Sequence, residues 1–264
     1  LQDETEGNGL GPMGQNSGLW ALALCALWVV LLAIFYSFPQ IDLSVAAYFF
    51  EPSACAAGAV VDVCGHFPLG QSEALRGLRK MLFYLPHIAA LAVFLSLAAG
   101  LSGKGRGPAR REPVRPKVIA LAVLAIGPWL IVNAGLKEYW GRPRPNQTDV
   151  FGGDLSFVPA GSPFGHCDQN CSFISGEAAG AGWLICLLPL MPPAIRRYLG
   201  LPVILACLAT PVLRVAFGAH YLSDAVLGWL SSPVVFALVI FFTEELERRR
   251  KRTVQRQRQS STGE

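Results

Sequence analysis

Between residues 137 and 224 the chain spaces its reactive side chains in three short blocks. "LKEYWGRPRP" holds Lys137, Arg142 and Arg144. "ISGEAAG" holds Ser175, Gly176 and Glu177, and "LRVAFGAHYLSDA" holds Arg214, His220 and Asp224. Arg offers a planar fork that matches the oxygens of a tetrahedral oxyanion, and Lys adds a point charge. A helix starting at Ser175–Gly176 would present free N–H groups and a hydroxyl to the same anion. His220 and Asp224 are spaced i,i+4, so on a helix they share a face. Asp224 can accept the proton of one ring nitrogen and leave the other free to attack. A neutral imidazole held this way is a nucleophile toward phosphorus, and the cations would stabilise the charge that builds on the equatorial oxygens. Taken singly, Lys137 reads as an anchor at a membrane surface, Arg142 and Arg144 as surface charges, and the His–Asp pair as a structural hydrogen bond. Their conjunction points to phosphoryl chemistry.

The elements that must position these residues are apolar. Of 264 residues 52% are hydrophobic and 15% charged, against about 25% charged in a soluble domain. Six stretches are long enough for a bilayer core of about 30 Å: 19–38, 80–101, 117–136, 173–191, 199–215 and 221–243. The expected fold is therefore all-α, a polytopic membrane protein with six transmembrane helices over 19–243. Residues 1–18 are expected to be a disordered cytoplasmic N-terminus, without the features of a cleaved signal peptide. Residues 244–264 are expected to be a basic cytoplasmic tail. "DLSVAAYFF", after the first span, suits a short helix lying at the membrane interface.

Charge orients the spans. The segment between spans 2 and 3, that between spans 4 and 5, and the tail hold fifteen of the 22 Lys and Arg. The positive-inside rule makes that side cytoplasmic. All three reactive blocks then fall at outward helix ends. So do the pairs Cys55/Cys64 and Cys167/Cys171, for which an oxidising compartment favours local disulfides. Metal ligation is the rival reading, but each of those loops holds one His, His66 or His166. Arg76, Arg79 and Lys80 run against the charge rule just before span 2. They read as headgroup anchors, or as collectors of an anionic substrate.

The three blocks resemble the pattern K-x6-R-P, P-S-G-H and S-R-x5-H-x3-D of the type 2 phosphatidic acid phosphatase superfamily. Lys137, Arg144 and Pro145 match the first block. Arg214, His220 and Asp224 match the third, with Leu213 in place of its leading Ser. In the second, Ile174 replaces Pro and Glu177 replaces His. The resemblance implies a metal-independent phosphatase without a cofactor. His220 would be transiently phosphorylated and Asp224 would orient it. Lys137, Arg144, Ser175, Gly176 and Arg214 would hold the phosphoryl oxygens, with Arg142 and His166 as possible auxiliaries.

Glu177 stands where the family carries the acid that protonates the leaving group. It can be that acid itself, since a partly desolvated carboxyl can donate near neutrality. His166 can take the task, or the protein binds phosphorylated lipid without cleaving it. The leading expectation is a phosphatase of a bacterial inner membrane, acting at the periplasmic face. Relatives act on lipid A, undecaprenyl diphosphate or phosphatidylglycerol phosphate, and the first loop and "CSFISGEAA" look most like the lipid A branch. A phosphotransferase with the same intermediate is one alternative, and a non-catalytic binder or transporter of phosphorylated lipid is the other. The implied partners are a phosphorylated lipid and the bilayer, with no nucleic acid; oligomeric state is not implied.

Overall fold

The computed structural model describes residues 16–55, 62–102 and 114–261. Residues 1–15 and the basic residues between 103 and 113, both named above, lie outside them. Its helices are α1 (Ser17–Ser37), α2 (Gln40–Phe49), α3 (Glu73–Leu101), α4 (Val114–Tyr139), α5 (Gly176–Leu187), α6 (Pro193–Ala216) and α7 (Leu222–Ser261). A two-stranded antiparallel hairpin, β1 (Glu51–Ser53) with β2 (Cys64–His66), interrupts the otherwise helical fold.

Among the described residues, five helices are long and apolar enough to cross a bilayer: α1, α3, α4, α6 and α7. The expected fourth span, 173–191, corresponds to the short α5, extended by one 3-10 turn to Leu190. At 1.5 Å per residue it falls short of a bilayer core. It can be short because protein surrounds it. Ala178, Ala179, Trp183 and Leu184 are buried, between α6 on one side and α7 on the other. Gly182 permits that closeness, since a Cβ there would lie 2.0 Å from the Trp229 carbonyl oxygen of α7. Small residues let membrane helices approach in this way. Trp183 donates its indole N–H to the Ala120 carbonyl of α4 at 2.7 Å, tying a third helix to the centre. By contrast α1 exposes Leu19, Leu22 and Val29, and α3 exposes Met81, Ile88 and Phe94. Apolar surface of that extent belongs against lipid.

Other boundaries also differ from the sequence expectation. Ser17 already opens α1, and its hydroxyl donates to Glu244 of α7 at 2.6 Å. Residues 244–261, expected as a basic tail, continue α7 as helix, supported by i,i+4 pairs such as Glu245–Arg249 at 2.8 Å. α3 begins at Glu73, so Arg76, Arg79 and Lys80 lie on helix. α4 widens into π-helix over Ala125–Leu136. Pro128 explains it: proline lacks an N–H and its ring clashes with the carbonyl four residues back. The side chain of Asn133 donates to the Pro128 carbonyl at 2.7 Å, an added tie within the widened turn. α2 forms as expected, and the Cys55–Cys64 and Cys167–Cys171 disulfides are both present.

Candidate active site

The C-terminal ends of α4 and α6 meet the N-terminal ends of α5 and α7 at one end of the bundle. Lys137 comes from the first, Arg214 from the second, Ser175–Glu177 from the start of the third, and Asp224 from the fourth, with His220 on the turn just before it. Arg144 enters from the segment after α4. The structure therefore brings all three sequence blocks together.

His220 is buried, and its Nδ1 lies 2.9 Å from the Ser172 carbonyl. A carbonyl only accepts, so Nδ1 carries the proton and Nε2 keeps its lone pair. Burial first, and then the charges of Arg214, Arg144 and Lys137, push the His220 pKa well below its ordinary value of 6.5. The lowered pKa favours the neutral imidazole, with Nε2 carrying the lone pair. Asp224 is placed one step further back than the spacing suggested. Its Oδ2 accepts from the Ser172 hydroxyl at 2.5 Å and from the Tyr221 N–H at 3.1 Å, while Ser172 bridges to the ring. The i,i+4 argument fails here because α7 begins at Leu222, leaving His220 on the turn before it.

Arg142 does not face the cluster. It is fully buried and stacked 4.4 Å from the centre of the Tyr221 ring. It donates to Asp224 at 2.6 Å, Asp42 at 2.8 Å, Ser223 at 2.8 Å and the Val158 carbonyl at 2.8 Å. Burial would lower its pKa, but Asp224 and Asp42 outweigh that and raise it. Asp42, from α2, also accepts from the Ser223 N–H at 2.8 Å and its hydroxyl at 2.5 Å. Every donor in this network has a partner, the condition under which buried charge is tolerated.

The groups left for a ligand are different. Arg214 is buried, yet its Nε has no hydrogen-bond partner among the described residues and lies 3.5 Å from Glu177. Such an orphan donor invites an anion. Arg144 is braced by Asn170 in the disulfide-closed loop, with bonds of 3.1 and 2.9 Å that leave Nη1 unclaimed. Ser175 caps α5 by accepting the Ala178 N–H at 3.3 Å. Gly176 is demanded by packing too, since a Cβ would lie 2.5 Å from Asn133 Oδ1. Glu177 is gripped at both carboxylate oxygens by Arg79, with Nε to Oε2 at 3.0 Å and Nη2 to Oε1. Held so, it accepts rather than donates in the resting structure. His166 is exposed on its loop, and no hydrogen bond or ion pair with the described residues joins it to the cluster. Sequence reasoning missed Ser172, Ser223 and Asp42, and did not pair Arg79 with Glu177.

An apolar groove of about 600 Å³ opens beside the cluster, between α3, α4 and α5. It runs from Lys137 and Glu177 past Phe83 and Pro86 to Leu121.

The PAP2 superfamily model matches residues 116–248. Lipid A 4'-phosphatases of Rhizobium leguminosarum and Rhizobium etli are each 47% identical to the chain; the matches cover 83% and 84% of it and 94% and 87% of those proteins. The lipid A 4'-phosphatase of Francisella tularensis subsp. novicida is 30% identical, over 78% of this chain and 89% of that one. The fold is shared with the crystal structure of a PAP2-type phosphatidylglycerolphosphate phosphatase from Bacillus subtilis. The TM-score is 0.53 at 16% identity, over 85% of this chain and 96% of that one.

Proposed function

Because the chain belongs to the PAP2 superfamily, we propose that it is a membrane lipid phosphatase that acts on lipid A or a closely similar phosphorylated lipid through a phosphohistidine at His220. The observation that carries this reading is one arrangement: a buried His220 with Nε2 free, ringed by Arg214, Arg144 and Lys137, beside an apolar groove. The cations serve the phosphate and the groove serves the hydrocarbon part. The relatives named lipid A 4'-phosphatase support the substrate class.

In the first step Nε2 of His220 attacks phosphorus and the bond to the leaving oxygen breaks. Arg214 and Arg144 bind the phosphoryl oxygens, with Lys137 and the start of α5 adding positive potential. The proton stays on Nδ1, which donates to the Ser172 carbonyl, and Asp224 fixes Ser172 by accepting from its hydroxyl. The leaving alkoxide needs a proton. A monoanionic phosphate brings one, and the phosphate displaces Glu177 from Arg79 and Arg214. The freed carboxylate takes that proton and hands it to the leaving oxygen. In the second step Glu177, again a carboxylate, removes a proton from the water that attacks the phosphohistidine. No step requires a metal ion.

The distribution of basic residues supports a site on the outer face of a bacterial inner membrane, with both ends of the chain inside. The test is phosphate release by purified protein from lipid A, undecaprenyl diphosphate and phosphatidylglycerol phosphate. Lipid A is the expected preference, and His220→Ala should abolish release while remaining folded in detergent. Release by His220→Ala at the wild-type rate would overturn the mechanism. Tight lipid binding without release by the wild type would make the protein a binder.

A further inference from the structure

Outside the three basic segments seven Lys and Arg remain, and two of these have no role in the site so far. Arg76 and Lys80 lie one turn apart on α3, and neither side chain has a hydrogen bond or ion pair with the described residues. Both line a cleft of about 310 Å³ together with Arg79, Arg144, Arg214 and Ala219, the residue before His220. The volume is at the lower end of the range for small-molecule sites, so it admits a polar headgroup rather than one bare phosphate.

The charges do not balance with a single phosphate. Five cations line the cleft, and Glu177 is the carboxylate that pairs with them, through Arg79 and Arg214. A phosphate monoester adds about two negative charges at most. Roughly two positive charges remain, the number carried by Arg76 and Lys80. Like charges gathered around one cavity repel unless an anion joins them.

We propose that Arg76 and Lys80 form a subsite for a second anionic group, a phosphate carried on the same amphiphile as the phosphate that reacts. The reacting phosphate sits at Arg144 and Arg214, and the second at the α3 wall of the same cleft. The inference rests on the phosphatase reading above and narrows its substrate to bis-anionic headgroups.

The test uses two amphiphiles with the same chains and headgroup, one with a single phosphate and one with two, in neutral detergent micelles. The Arg76→Gln/Lys80→Gln variant should lose about ten- to a hundredfold in kcat/KM on the bis-phosphorylated compound, through KM, the weight of hydrogen bonds to charged groups. Its turnover of the mono-phosphorylated compound should stay within about twofold, the range of exposed charges without a partner. Equal losses on both compounds, or no loss on either, would overturn the proposal. So would a loss that appears only when anionic lipid is added to the micelles, which would assign the two residues to the bilayer. Affinity for the two compounds, measured by calorimetry in a His220→Ala background with and without the double change, reads the subsite without turnover. A wild-type protein that releases phosphate from neither compound would sink the phosphatase reading, and the calorimetry would still decide the subsite.

Discussion

Glu177 is the residue on which the proposed chemistry turns. It departs from the family pattern, and Arg79 and Arg214 hold it where a phosphate would otherwise bind. A proton carrier at that position accounts for both facts. Glu177→Gln keeps the shape and removes the carrier, so turnover of a monoester should fall by about 10²–10⁴. An unchanged rate in a stopped assay for free phosphate would move the proton elsewhere. His220 makes a prediction about pH. Its pKa is lowered, so the neutral nucleophile persists as pH drops below 6.5. Arg214 is one of the causes, and removing its charge must raise that pKa. The acid limb of kcat/KM should therefore move to higher pH in Arg214→Gln, and a limb that stays put would contradict the electrostatic account. His220, Lys137, Arg144 and Arg214 were legible in the sequence because residue type and spacing alone mark them. Ser172 and Asp42 were not. Ser172 meets the His220–Asp224 pair across 48 and 52 residues, and Asp42 meets Arg142 across 100, as ordinary polar residues without a motif.

Helix ends rather than whole helices make the site, and α2 is the element whose part is least obvious. It is a short amphipathic helix, yet its Asp42 reaches the start of α7 through Ser223 and reaches Asp224 through Arg142. Asp42→Ala would leave buried donors on Arg142 and Ser223 without an acceptor. The expected cost is on the order of 3–5 kcal/mol, visible as a lower thermal midpoint in detergent. Glu245→Ala, which breaks an exposed pair on α7, should cost under about 1 kcal/mol. Similar shifts for the two would mean that the Asp42 network is not a structural tie. Hydropathy found the long apolar helices and the interfacial one. It did not distinguish α5 from the lipid-facing helices, because an apolar run reads alike whether lipid or protein surrounds it. Only packing, with Gly182 against the Trp229 carbonyl, reveals that α5 is enclosed. The helical extension of α7 past residue 244 was hidden by its basic composition, which reads as a solvated tail.

At the scale of the whole molecule, charge is partitioned. Fifteen of 22 Lys and Arg lie in the three basic segments, and the other seven all lie at or beneath the cluster. The apolar groove joins that cluster to the lipid-facing surface between α3, α4 and α5. A substrate that uses both should lose kcat/KM as its chains are shortened, by about 0.8 kcal/mol for each buried CH₂ removed. A series of phosphorylated amphiphiles of falling chain length would show it, and a flat series would leave the groove without a role. The central claim is that phosphorus passes through His220. Protein mixed with a labelled phospholipid substrate and quenched in alkali, which preserves phosphohistidine, should yield a phosphate on the peptide that contains His220. Turnover that proceeds with no phosphate on that peptide at any quench time would contradict the account.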